Sequence, residues 1–247
     1  VAKELQAFGQ FIGRLPFAEL PPRQMEAACI ITDNTDAWAA AYGSFVLSKQ
    51  AGFDLSFRHG LQNLPDSQFY LLPCLSGNSS LPRRKWRELL IKVEAGATLC
   101  ISICGDCVLS SFEEITGLRI ETRERRIEPA LIDFGGKIGK LSIPATHRLR
   151  LTPTRAEVLA READGNPAFA KAAYGKGTVY FLGAALEREL IYQPGLPLQV
   201  EKHPAWRIYA TMAAPFMDKR ILSKEDAFIG LTEHQLPNGK KVAVAIN

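Results

Sequence analysis

Residues 97–103 read Ala-Thr-Leu-Cys-Ile-Ser-Ile, a strand-length run with apolar side chains at both parities. A strand that is apolar on both faces belongs inside a sheet covered on both sides, which is the habit of parallel sheets. An amphipathic stretch precedes it: residues 82–95 carry Trp86, Leu89, Leu90 and Val93 at helical spacing, and Gly96 stops them. The same alternation occurs upstream. Cys29-Ile30-Ile31, closed by Thr32-Asp33-Asn34, reads as a buried strand ending in a helix cap. From 36 to 52 the apolar residues Trp38, Ala41, Tyr42, Phe45, Val46 and Ala51 recur at helical spacing, with Gly52 as the C-cap. Phe53–Phe57 and Phe69–Pro73 are further strands, the second followed by a polar loop, 76–80. Strand, helix, strand, strand, helix, strand at these spacings demands crossover connections. The fold class is therefore α/β, a doubly wound and mostly parallel sheet.

The pattern changes over 118–182, where short apolar stretches alternate with Gly135-Gly136, Gly139 and Pro153. This is a β-rich, antiparallel insertion. Gly177–Gly183 returns to a core strand after a turn at Gly175-Lys176, and His203-Pro204 to Met217 is a closing helix. Residues 227–247 resemble a hairpin turning at Asn238-Gly239. Three segments follow: 1–25, a helix and a Pro-rich linker; 26–217, the α/β domain; and 218–247, the start of a further β domain. The absence of an initiator Met and a last strand ending in mid-sheet lead us to expect a piece of a longer protein.

Composition excludes several classes. The 247 residues are 47% hydrophobic and 23% charged, with a net charge of +4, so neither a nucleic-acid binder nor a polyanion partner is indicated. Arg83, Arg84, Lys85 and Arg123, Arg125, Arg126 read as solvated faces. No apolar run approaches the roughly twenty residues of a membrane span. Five cysteines, four of them in apolar runs, form no disulfide framework and point to a reduced, cytoplasmic setting.

Candidate chemistry centres on Cys104, at the end of the 97–103 strand and before an expected helix. A thiol at a strand-to-helix turn faces helix N–H groups, which lower its pKa and can hold an oxyanion. Cys104-Gly-Asp-Cys107 also has the spacing of a thioredoxin-type pair, without that fold's order of elements around it. Cys100, Cys104 and Cys107 lack a fourth ligand for zinc, and His59, His147, His203 and His234 are scattered, so no metal and no cofactor are expected. Asp33, Asp36, Glu187 and Glu189 show no spacing that selects a glycosidase pair. Trp38, Trp86 and Trp206 are possible sugar or interface contacts, and Trp38 and Trp86 more readily pack inside.

The order of elements is similar to that of class I glutamine amidotransferases, which place a nucleophile in Gly-x-Cys-x-Gly after such a strand, an oxyanion turn of Pro-Gly-Gly before it and a His-Pro-Glu after a later strand. This chain departs at each point: Ser102-Ile-Cys104-Gly-Asp106, Pro73-Cys-Leu-Ser-Gly77 and Ala185-Leu-Glu187. Ala185 stands where the base would be, leaving Cys104 as a vestigial elbow and Glu187 as a weak candidate. The segments Ala28–Asp33, Ala40–Asp54, Leu64–Gly77, Trp86–Leu99, Phe112–Gly117 and Tyr174–Gly183 together resemble the amidotransferase-like middle domain of multi-domain glycoside hydrolases, related to the trimerisation domain of family 42 β-galactosidases. The resemblance covers about 26–217. It implies a flavodoxin-like, amidotransferase-like fold that serves as a non-catalytic structural or oligomerisation module. Its partners would be the parent's barrel and β domain, a second copy of the chain, and carbohydrate met through the parent. A thiol hydrolase using Cys104 and a carbohydrate-binding module are the alternatives.

Overall fold

The computed structural model describes residues 2–15, 21–23, 25–33, 36–77 and 81–246. The first half contains α1 (Ala2–Ile12), β1 (Ala27–Ile31), α2 (Ala37–Ala51), β2 (Leu55–His59), β3 (Phe69–Gly77), α3 (Arg83–Glu94) and β4 (Thr98–Cys107). After the short α4 (Phe112–Thr116) come seven strands: β5 (Leu118–Arg125), β6 (Ala130–Asp133), β7 (Lys140–Ile143), β8 (His147–Pro153), β9 (Glu157–Glu162), β10 (Pro167–Tyr174) and β11 (Gly177–Leu182). Then follow α5 (Leu186–Tyr192), α6 (Trp206–Met217), β12 (Gly230–Gln235) and β13 (Lys241–Ile246).

Nine strands form one sheet in the order β2-β1-β3-β4-β11-β10-β9-β6-β7. The first five run parallel and the last four antiparallel. The strand order reverses between β1 and β3, where the carboxyl ends of parallel strands open a crevice. The 118–182 region is thus less separate than the sequence implies: β6, β7, β9 and β10 extend the main sheet, and only β5 and β8 pair apart as a ribbon.

Side-chain alternation divides the core into two layers. Ala27, Cys29, Phe69, Leu71 and Cys100 pack towards α2, α5 and α6 with Phe53, Tyr209 and Phe216. Ala28, Ile30, Tyr70, Leu72, Leu99 and Ile101 pack towards α3 and the ribbon with Trp86, Leu89 and Phe181. Successive side chains of a strand point to opposite faces, so each residue of these continuously apolar strands falls in one layer or the other.

Helix α2 is where the pattern misleads. The aromatic part of the expected stripe is exposed: Trp38 is 63% accessible, and Tyr42 and Phe45 are open as well, while Ala41 and Val46 are part-buried and Ala51 is buried. The buried face is Ala39, Ala40, Gly43, Ser44, Leu47, Ser48 and Ala51. The reason is distance. A Cβ on Gly43 would stand 2.2 Å from the Glu187 carbonyl oxygen, so α2 approaches α5 more closely than large side chains allow. The helix begins at Asp36, whose carboxylate accepts from the Ala39 amide, rather than at 32–34, and it ends at Gly52 with φ +96° as expected. The closing helix starts at Trp206, two residues after Pro204. In α1 no residue is buried, so Leu5, Phe8, Phe11 and Ile12 form an open apolar stripe.

The hairpin β12–β13 is fastened to the sheet through buried charge. Arg220, 2% exposed, lies 3.1 Å from Glu26 and 3.7 Å from Glu233. Glu233 also accepts from the Ile221 amide, and His234 bonds the Pro21 carbonyl. Among the basic runs, Arg126 is not solvated as expected: its guanidinium pairs with Glu162 at 2.6 Å, both side chains nearly enclosed.

Candidate functional site

The carboxyl ends of β3, β4 and β11 bring together Cys74, Ser102, Cys104 and the first turn of α5. Burial here is deep. Glu187 is 1% exposed, yet its carboxylate accepts from Ser102 Oγ at 2.7 Å and from the Tyr209 hydroxyl at 2.8 Å. The Cys74 thiol points at the same oxygen as Ser102, 3.6 Å away. Ser102 Oγ in turn accepts from the Cys74 amide at 2.8 Å, and Tyr209 reaches Ser44 at 3.3 Å. Every polar atom of this knot has a partner, which is what burial of polar groups requires. Burial raises the Glu187 pKa above the usual carboxylate range, and the hydrogen bonds from Ser102, Tyr209 and Cys74 oppose the rise.

Cys104 lies beside this knot, half-buried. No helix follows it directly. β4 continues to Cys107, and the next helix, α4, is a single five-residue turn beginning at Phe112. The expected helix N-terminus is therefore missing, because the chain stays extended where an elbow would turn. The cation that approaches the thiol comes from α5: Arg188 Nη1 is 2.8 Å from Sγ, and Arg188 Nε donates to Glu189 at 3.2 Å. Burial still pushes the Cys104 pKa up, Arg188 pulling the other way.

The base position holds Ala185, 3% exposed, in a small apolar cluster with Ala40 and Cys74 against which Cys104 packs. No imidazole fills the gap. His147 comes near, its Nδ1 4.0 Å from where a Cβ on Gly105 would lie. Gly105 and Cys104 are neighbours on a strand, so they point to opposite faces and His147 sits across the sheet from the thiol. His59 pairs with Asp33 at 2.8 Å at the ends of β2 and β1. His203 lines a cavity of about 20 Å³, room for about one water, together with Glu189 and Leu190.

One element of elbow geometry is present on another strand. Cys74, on β3, has φ +55°, an uncommon value for a residue with a side chain. It coincides with the irregular register between β3 and β4 from Leu72 to Gly77. Cys74 is 1% exposed, and its thiol pKa is raised by burial and by Glu187. The remaining cysteines are interior too: Cys29, Cys100 and Cys107 are buried, all five are free thiols, and burial lifts Cys107 to about 11.

Sequence reasoning named Cys104 and Glu187, and the structure places them around one knot. It missed Ser102, Tyr209, Arg188 and Cys74. Of the tryptophans, Trp38 is exposed and stacks on Tyr42 with centroids 5.3 Å apart. Trp86 is core, its Nε1 donating to the Ser110 carbonyl. Trp206 is 6% exposed and carries Arg207 over its ring, 4.4 Å from the centroid. Among the described residues no group of three or more His, Cys, Asp or Glu side chains could hold a metal, and no helix is long and apolar enough to cross a membrane.

No protein-family model matches the chain, and no curated protein matches it. Solved structures do. An α-L-fucosidase, isoenzyme 2 from Paenibacillus thiaminolyticus, superposes with a TM-score of 0.67 at 10% identity, covering 99% of this chain and 40% of that one. A β-galactosidase from Bacillus circulans sp. alkalophilus gives 0.59 at 17% identity, covering 99% and 38%. The exo-β-1,4-mannosidase Op5Man5 from Opitutaceae bacterium strain TAV5 gives 0.62 at 16%, covering 81% and 37%. The likeness is one of fold. The chain spans about two-fifths of the length of each of these glycoside hydrolases.

Proposed function

We propose that this chain is a non-catalytic, amidotransferase-like module of a longer glycoside hydrolase, with the glycosidic chemistry carried outside these residues. The observation that carries the reading is the state of the knot. The acid that would orient a base, Glu187, is taken up by Ser102, Tyr209 and Cys74, and Ala185 fills the base position with a methyl group. A thiol with a raised pKa and no base is a poor nucleophile. Similarity of fold to a fucosidase, a galactosidase and a mannosidase supports a glycosidase parent, since what these proteins have in common is their class of reaction rather than one sugar.

The module's work in this reading is assembly, onto the parent's barrel and β domain and onto further copies of the chain. Exposed Trp38, Tyr42 and Phe45 on α2 favour it. A helix apolar on both its inner and outer faces is characteristic of one covered on both. The stacked rings also argue against a sugar platform here. Trp38–Tyr42 and Tyr42–Phe45 lie at 27° and 16°, so the rings face each other along the helix and present edges outwards. Five free cysteines fit a reducing, cytoplasmic compartment. The test is hydrolysis of aryl β-galactosides, β-mannosides and α-fucosides by the purified chain. No turnover above buffer is expected. Turnover that is lost when Glu187 or Glu189 becomes Gln would overturn the reading.

A further inference from the structure

A groove of about 470 Å³ lies between the β6–β7 turn and the first turns of α6, and none of the knot residues lines it. Its size falls within the range of small-molecule sites. The part-exposed apolar lining is Phe134, Ile138 and Ala210, with Trp206 buried beneath Arg207. The lining carries two cations, Lys137 and Arg207, and no carboxylate; the Thr211 hydroxyl there already donates to the Arg207 carbonyl at 2.8 Å. Neither cation has a carboxylate partner among the described residues. The nearest acid in the turn, Asp133, is engaged elsewhere, accepting from the Gly135 amide and lying 3.9 Å from Lys140.

The turn is built for close approach. Gly135 and Gly136 both have positive φ, and a Cβ on either would meet open space, so backbone conformation rather than crowding selects glycine there. Of the turn amides, those of Gly135, Ile138 and Gly139 are bonded within it, to Asp133 and to the Gly135 carbonyl. The Gly136 and Lys137 amides have no hydrogen-bond partner among the described residues. Arg207 is held over the Trp206 ring, which orders its guanidinium before any ligand arrives. A guanidinium held in place and an ammonium, beside a turn with two free amides and a partly apolar lining, match a ligand with an apolar face and one anionic group.

We infer that this groove binds an acidic saccharide, a pyranose bearing a carboxylate or a phosphate, through Lys137, Arg207 and the Gly136–Lys137 amides. The anion half stands on the groove alone. The saccharide half rests on the glycosidase reading above. The experiment is a titration of the labelled chain followed by amide chemical shifts, with galacturonate, glucose 6-phosphate, galactose, acetate and inorganic phosphate as separate probes, repeated with Lys137→Ala and Arg207→Gln. Saturable shifts confined to 134–138 and 206–211 are expected with an acidic sugar. Galactose should bind at least about tenfold more weakly, each variant should lose about tenfold, and added salt should weaken binding. Whichever acidic sugar binds more tightly identifies the anionic group. Acetate or inorganic phosphate binding as tightly as either acidic sugar would overturn the saccharide half while leaving the anion half in place. No shift at these residues with any probe, in a chain whose spectrum is otherwise intact, would overturn both.

Discussion

Glu187→Ala probes the knot most severely. The side chain is 1% exposed and is the acceptor for Ser102, Tyr209 and Cys74. Truncation strands these three groups in a site water does not reach. Each stranded buried group costs about 1–3 kcal/mol, and with partial relaxation the sum is about 3–5 kcal/mol. Glu187→Gln keeps the shape and one acceptor oxygen and should cost about 1 kcal/mol at pH 5. Its pH dependence is the sharper readout. A carboxyl whose folded pKa lies above its ordinary value of 4.5 contributes stability that is complete below that value and is lost as pH rises through the folded pKa. The wild-type chain should therefore lose stability above pH 4.5 through this group, whereas Glu187→Gln should not, so the gap between them narrows as pH rises. Urea denaturation followed by circular dichroism from pH 4.5 to 7.5 measures both effects. A cost below about 1 kcal/mol for Glu187→Ala, or a gap that widens with pH, would mean that Glu187 does not hold this cluster together as a buried acceptor.

Gly43→Ala places a methyl group 2.2 Å from the Glu187 carbonyl oxygen, a backbone atom that cannot swing aside, and should cost at least about 2 kcal/mol in the same denaturation assay, with loss of order at the Cys104 site. Arg220→Met leaves Glu26 buried without its cation and Glu233 with Lys241 alone, 3.6 Å away; it should cost about 3–5 kcal/mol and make β12–β13 the first segment released by limited proteolysis. Asp164, held down to about 2 by Arg148, the Asn166 amide and Arg150, contributes stability that is present above pH 3.8 and lost as pH falls through 2; Asp164→Asn should flatten the acid limb of the stability profile by a small amount, since the carboxylate is 41% exposed.

What was legible follows from locality. β1, β3, β4 and β11 could be read because a short continuous apolar run and the residues that bound it lie within single segments. Gly52 could be read because a helix C-cap needs positive φ at one residue. The buried face of α2 could not, since Trp38, Tyr42 and Phe45 advertise a stripe while Gly43 and its small neighbours make the contact. Periodicity marks where apolar residues are, and close approach of two backbones decides which face turns inward. The course of β6, β7, β9 and β10 was hidden for a similar reason: alternation identifies a strand but not the sheet it joins. The knot was the least legible, because Ser102, Tyr209 and Arg188 meet their partners across 85, 22 and 84 residues of sequence. Only Cys104 and Glu187 carried a signal, Cys104 from its place at the end of an apolar strand and Glu187 from a resemblance.

Whether Cys104 is a retired nucleophile is measured directly by the rate of its alkylation against pH, with Cys104→Ala as the control for the four buried thiols. Labelling should be slow at neutral pH and rise only above the ordinary thiol range of about 8.5, because burial outweighs Arg188. Fast labelling at pH 7 that disappears in Cys104→Ala would contradict it: the thiol would still be activated, and a module without chemistry would be the wrong description of this chain.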